Sequence, residues 1–266
     1  MPMQPDYEYA VTVHEILDNG QVRRDRTGVG TIALFGQKMT FDLRDGFPLL
    51  TTKAINFGAI ADELLWFIRG GTNANELSSK IWQAWADDNG DLGPIYGAQW
   101  RKWGSRFSDD TIDQLANVIQ EIKDFPHSRR LLVSAWNVGE LHMMALAPCH
   151  VMFQFYVDGD YLDLQLYQRS ADMGLGVPYN IASYALLLSL VANECGLVPR
   201  ILHHVLGDAH VYSNHVAKLQ SQIEREPRPS PHLLLKPGQR VFDVTAEDIT
   251  LIQYDPHPAV HMTVAV

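Results

Sequence analysis

Only two cysteines, Cys149 and Cys195, occur in 266 residues, which excludes a disulfide framework and suits a reducing compartment. Basic residues are scarce as well. The 21 Lys and Arg stand against 31 Asp and Glu, a formal net charge of -10, whereas a chain built to hold a nucleic-acid backbone has the opposite surplus. Nucleic acid is therefore not the expected main partner, and an RNA-binding regulator is a remote reading. No apolar run approaches the roughly 20 residues that span a bilayer. Residues 1–9 carry no basic region followed by an apolar stretch. A soluble, unprocessed, cytoplasmic protein without membrane contact is expected. A GxGxxG fingerprint, a P-loop, spaced metal ligands, internal repeats and low-complexity tracts are also missing, so no metal is expected.

What is present is ordinary for a globular chain: 46% hydrophobic and 20% charged residues, enough to bury one large core as a single domain over residues 1–266. Tyr9, Val13, Ile16 and Leu17 recur at helical spacing, with Gly20 placed to stop that helix. Met39, Phe41 and Leu43 alternate with polar residues as in a strand. Leu115, Val118, Ile119 and Ile122 mark a second helix, and Val216, Leu219 and Ile223 a late one. Residues 226–231 hold Pro227, Pro229 and Pro231, too many for regular structure, and read as a surface connection. The pattern is that of an α+β fold.

The densest chemistry follows Cys149. Residues 151–157 are apolar and aromatic, Asp158-Gly159-Asp160 signals a hairpin turn, and Leu162, Leu164 and Leu166 alternate with polar residues. The hairpin returns Arg169 and Ser170 toward the end where Cys149 enters, so thiol and guanidinium should lie close together. A nearby cation that never loses its proton favours a reactive thiolate. An isolated cysteine reads as a small buried hydrophobe, and Cys195, in an apolar segment, fits that description. The polar company of Cys149 does not. In residues 60–68, Ile60, Leu64, Phe67 and Ile68 define a buried helical face that also carries Glu63. An inward carboxylate must be ion-paired, solvated or neutralised. Four of the six tryptophans fall between Trp82 and Trp103, either as core or as an aromatic wall. Arg129-Arg130 precedes the strand-like residues 131–136, where the plain alternative is a solvated loop.

These residues resemble the thymidylate synthase family. The resemblance rests on Pro148-Cys149-His150, on residues 168–172 (Gln-Arg-Ser-Ala-Asp), on residues 175–182, and on Asp208-Ala209-His210-Val211-Tyr212-Ser213-Asn214-His215. It extends from Asp25-Arg26-Thr27-Gly28 to Tyr254-Asp255-Pro256-His257-Pro258. It implies a mixed, mainly antiparallel sheet flanked by helices, with sheet faces packed in a homodimer. It also implies reductive methylation of dUMP to dTMP with methylenetetrahydrofolate as cosubstrate, donating both carbon and hydride.

The resemblance assigns roles residue by residue. Cys149 adds to the pyrimidine at ring position six, which makes position five nucleophilic. Glu63 organises waters and moves protons at the pyrimidine carbonyl, and Tyr96 places a hydroxyl near the nucleophile. Arg26, Arg169 and Ser170 hold the phosphate, joined by Arg129 and Arg130 donated from the partner subunit. Gln168 lies on the substrate side, Asn180 reads the amide edge of uracil, and His210 and Tyr212 hold the sugar hydroxyl. On the folate side, Trp82 and Trp85 form a wall and Asp172 anchors the pterin. Lys53, Asn56, Leu146 and Gly176 border it, and Ala265 and Val266 belong to a carboxyl end that folds over the ligands.

Four positions depart from the family pattern: Ala54 for a second basic residue after Lys53, Gln83 for the usual aspartate, Ala147 for a frequent proline, and Tyr179 for phenylalanine. Together they keep a second reaction open, dUMP 5-hydroxymethylation, in which water rather than hydride captures the exocyclic methylene.

Overall fold

The computed structural model describes residues 4–24, 27–104 and 110–264. Helix α1 (Pro5–Asn19) buries Tyr9, Val13 and Ile16, as their spacing predicts. Gly20 ends it in an extended rather than a left-handed conformation. A Cβ there would lie 2.3 Å from the carbonyl oxygen of Ile16, so close approach demands the glycine. Strand β1 (Gln21–Arg23) pairs with β2 (Thr31–Asp42). Leu43 falls outside β2 in a 3-10 turn, because Asp42 turns its carboxylate onto the backbone N–H of Arg44.

Helix α2 (Phe57–Ile68) starts at the cap Asn56, whose side chain accepts the Ala59 N–H at 3.1 Å. Helix α3 (Tyr96–Arg101) and a short hairpin, β3 (Trp103–Gly104) with β4 (Thr111–Ile112), precede α4 (Gln114–Asp124). Strand β5 covers only Leu132–Ser134, shorter than the apolar pattern over 131–136. Strands β6 (His150–Asp158) and β7 (Tyr161–Asp172) form the expected hairpin, with Gly159 at φ +58° in its turn. Helix α5 (Gly176–Cys195) is buried nearly all round. It carries the chain to β8 (Val198–Tyr212), and α6 (Val216–Ile223) follows. A second hairpin, β9 (His232–Leu235) and β10 (Ile249–Ile252), lies after the proline-rich connection.

The main sheet has the order β1-β2-β8-β7-β6-β5. Every pairing is antiparallel except β7 with β8, and a parallel pair requires a long crossover, here α5. This arrangement positions the site. The antiparallel pair brings the start of β6 to the end of β7, and the parallel pair puts the end of β8 there too. His150 is opposite Gln168, Ser170 opposite Asp208, and Asp172 opposite His210. The start of β2 joins the same end through the pairing of Thr31 with Tyr212.

One face of the sheet is core: Phe153, Phe155, Leu162, Leu164, Leu166, Leu202 and Leu206 pack into a single apolar cluster with the helices. Asp163 breaks the simple alternation of β7. It is buried because Arg200 of β8 clasps both its oxygens, at 2.8 and 2.7 Å. The other face presents aromatic side chains outward, with Phe35 77% and Tyr156 64% exposed.

Candidate active site

Cys149 sits in the turn that enters β6, and three features of the chain fix it there. Its carbonyl accepts the backbone N–H of Arg169 at 2.8 Å. Its own N–H donates to the Tyr96 hydroxyl at 2.8 Å, as does that of His150 at 3.3 Å. The Arg169 side chain donates to the carbonyls of Pro148 and Ala147 at 2.8 and 2.7 Å, which leaves Nη2 3.9 Å from the Cys149 sulfur. The guanidinium also lies 5.3 Å from the centre of the Trp136 ring. A permanent positive charge is thus held beside the sulfur by the loop that carries it, the proximity that the hairpin predicts.

Glu63 projects from α2 toward the same region. No ion pair holds it among the described residues. Its partner is the indole N–H of Trp82, 2.6 Å away. Burial pushes the carboxyl pKa up to about 7, with the indole bond opposing. Trp82 packs edge-on to Trp85 at 6.0 Å and to Tyr96 at 6.2 Å, so an aromatic wall links Glu63 to the loop of Cys149. Burial raises the Tyr96 pKa far above its ordinary value, so its hydroxyl keeps its proton at neutral pH. Trp100, by contrast, is buried core.

Gln168 donates to Asn180 Oδ1 and to the Ser170 carbonyl, both at 3.0 Å. Asn180 and Gly176 lie in the first turns of α5, immediately after Asp172. One oxygen of Asp172 accepts the Gly174 and Leu175 N–H groups at 2.8 and 3.3 Å; the other receives no hydrogen bond among the described residues. Lys53 is buried and donates to the Gly174 carbonyl at 2.6 Å. Burial lowers its pKa to about 8, with the Asp172 charge pulling the other way. Lys53 is carried by a loop anchored to α1 by Asp6, which accepts the backbone N–H groups of Thr51 and Thr52.

Arg169, Ser170, His210 and Tyr212 line a cleft of about 300 Å³ together with Arg23, Arg24, Thr27, Thr31 and Asp208. Cations, hydroxyls and a histidine converging on such a space fit a phosphate and a sugar. His210 is oriented by Asp208, whose carboxylate lies 3.1 Å from Nδ1 and 2.9 Å from the Arg23 guanidinium. A second cavity of about 280 Å³, bordered by Arg44, Phe47, Asn193 and His232, lies elsewhere. Two of its polar groups are already engaged: Arg44 with Asp42, and the Asn193 amide with Lys236 and Gly238.

Not every expected residue joins the cleft. Arg129 and Arg130 are exposed beside β5 and do not line it. Asn56 spends its carbonyl on the helix cap, and Leu146 packs partly buried against the core. Arg26, Ala265 and Val266 lie outside the described residues. Sequence reasoning quoted His150, Asp208 and His215 within motifs without assigning them roles, and missed His204 and Arg23. His204 could have been found, since Leu202, His204 and Leu206 alternate toward the core face. Arg23 and Arg24 lie next to Arg26 in the sequence, separated from it by Asp25.

The family described as Thymidylate synthase matches residues 7–266, nearly the whole chain. The chain belongs to the thymidylate synthase family, and is thereby an enzyme of the methyl- or hydroxymethyl-transferring type.

Proposed function

We propose that the chain converts dUMP to dTMP by reductive methylation, with methylenetetrahydrofolate as cosubstrate. The observation that carries this reading is the Cys149 sulfur 3.9 Å from a guanidinium that also lines the anion-binding cleft. A nucleotide whose phosphate meets Arg169 and Ser170 lies with its base toward the sulfur and Asn180. Attack by Cys149 forms a sulfur–carbon bond at ring position six, and the displaced electron pair moves to the position-four oxygen, making position five nucleophilic. Asn180 can donate to that oxygen as charge grows on it. A Glu63 carboxyl poised near neutrality can give and take protons there. Tyr96 holds the Cys149 loop and offers its hydroxyl as a relay rather than as an ionised base.

The residues bordering Glu63 and Asp172 fit a folate. Trp82 and Trp85 offer flat apolar faces, and the unengaged Asp172 oxygen suits a ring that presents N–H donors. When bound, the folate supplies the one-carbon unit and the hydride. The outward aromatic face bearing Phe35 and Tyr156 supports a homodimer, in which Arg129 and Arg130 would serve the partner's phosphate site.

Two of the four departures lend hydroxymethylation little support. Ala147 contributes its carbonyl to Arg169, which a proline would contribute equally, and Gln83 is exposed and donates to Asn75 at 3.1 Å. Incubating the protein with dUMP and methylenetetrahydrofolate and identifying both products by mass spectrometry separates the reactions. dTMP with dihydrofolate supports methylation; hydroxymethyl-dUMP with tetrahydrofolate rejects it.

A further inference from the structure

Behind Asn180 lies a buried polar chain with a defined direction. Gln168 is 2% exposed and His204 is wholly buried. Both N–H bonds of the Gln168 amide are used, one toward Asn180 Oδ1 and one toward the Ser170 carbonyl. Its Oε1 therefore faces His204 Nε2, 2.7 Å away. A carbonyl oxygen only accepts, so His204 must carry its proton on Nε2. Its Nδ1 is then a bare acceptor, and it has no partner among the described residues. Burial holds the ring neutral, with its pKa lowered to about 3, so both nitrogens are not protonated together.

The consequence reaches the base. Because Asn180 Oδ1 takes the Gln168 proton, its Nδ2 lies at the other end of the carboxamide and presents donors. A pyrimidine with a carbonyl at position four matches that arrangement, and one with an amino group there does not. Accepting the amino base means turning Asn180 over, which sets Nδ2 against Gln168 Nε2. Relieving that clash means turning Gln168, which sets its Oε1 against the Ser170 carbonyl and its N–H against His204. His204 would then have to move its proton to Nδ1, a donor buried without an acceptor. Reversal at Asn180 therefore requires reversal at Gln168 and His204, which the Ser170 carbonyl and the buried His204 Nδ1 resist, while His150, which also hydrogen-bonds the Asn180 side chain, bears on the outer end.

We propose that His204 is a specificity-positioning residue: its Nε2–H, acting through Gln168, fixes the sense in which Asn180 presents its carboxamide and so excludes dCMP in favour of dUMP. This rests on the pyrimidine-nucleotide reading of the cleft. His204 touches no substrate, and a merely structural role would weaken both nucleotides alike and leave their ratio unchanged.

The test is calorimetric binding of dUMP and dCMP to the unaltered protein, His204→Met and His204→Gln, together with ¹⁵N-histidine NMR of the unaltered protein. Met fills the space without a donor, and Gln restores an N–H. The expected result is a preference for dUMP that falls roughly ten-fold or more in the Met variant, as loss of a buried hydrogen bond implies, and largely returns in the Gln variant. NMR should show the Nε2–H tautomer at His204. An unchanged dUMP:dCMP ratio in a folded Met variant would overturn the proposal, as would an Nδ1–H tautomer, which decides the matter even if the variants do not fold. Failure of the unaltered protein to bind either nucleotide would remove the pyrimidine reading itself, and this inference with it.

Discussion

Trp82 donates its indole N–H to Glu63 at 2.6 Å, and this is the one hydrogen bond the carboxyl receives among the described residues. Burial drives the Glu63 pKa upward while the indole holds it near 7. Below that pH the group is a neutral acid, and above it a carboxylate. The catalytic rate should therefore bend near pH 7. Glu63→Gln should remove the bend and cost roughly 10²–10⁴-fold in rate, whereas Trp82→Phe should move it to higher pH. Stability follows with a defined sign. The folded state holds a proton that the unfolded chain releases near pH 4.5, so this contribution is full below that pH and lost as pH rises through about 7. A pH–rate profile of Glu63→Gln that still bends at 7 would remove Glu63 from the proton path.

Acid should act through the buried histidines in the opposite direction. Burial lowers the pKa of His150 to about 4 and that of His204 to about 3. Between pH 6.5 and 4 the unfolded chain binds protons that the folded state refuses, so their contribution is full above pH 6.5 and lost as pH falls. Each contributes a slope of about 1.4 kcal/mol per pH unit. Urea unfolding of His204→Met across that range should show a slope smaller by about that amount, and an unchanged slope would contradict the neutral buried ring.

Cys149→Ser should lower turnover by on the order of 10⁴-fold or more, the scale of a lost nucleophile, while dUMP binding stays within a few-fold. The hydroxyl is nearly isosteric but a much poorer nucleophile at neutral pH. Denatured wild-type protein should carry a nucleotide adduct on Cys149 by mass spectrometry, and the serine variant none. Substantial turnover by the serine variant is incompatible with covalent attack.

The carboxyl-terminal segment is tied down at two points. His215 Nε2 donates to the Thr263 carbonyl at 2.8 Å, and Lys218 donates to the His261 carbonyl at 2.6 Å. If this segment shields the reacting centre from water, His215→Phe should speed hydrogen exchange over residues 259–264 and depress dTMP formation more than nucleotide binding. Removal of Val266 should act in the same direction. Faster exchange with unaltered dTMP output would separate the segment from catalysis.

The chain alone determined several of its elements and much of its chemistry. Apolar residues at helical spacing produced α1 and α4, the Asp158-Gly159-Asp160 turn closed the β6–β7 hairpin, and that hairpin brought Arg169 back to Cys149. These are short-range matters, set by periodicity, turn geometry and a few residues of separation. Tertiary structure decided what depends on distant neighbours. The parallel pairing of β7 with β8, across a 20-residue helix, set Asp172 beside His210 and placed His204 behind Gln168. Trp82 met Glu63, where spacing left an ion pair, water or a neutral acid open. Protonation and carboxamide direction likewise belong to the packed molecule: a carboxyl held near pH 7, two neutral histidines and the orientation of Asn180 arise because burial removes water and leaves each polar atom only the partners that the fold supplies.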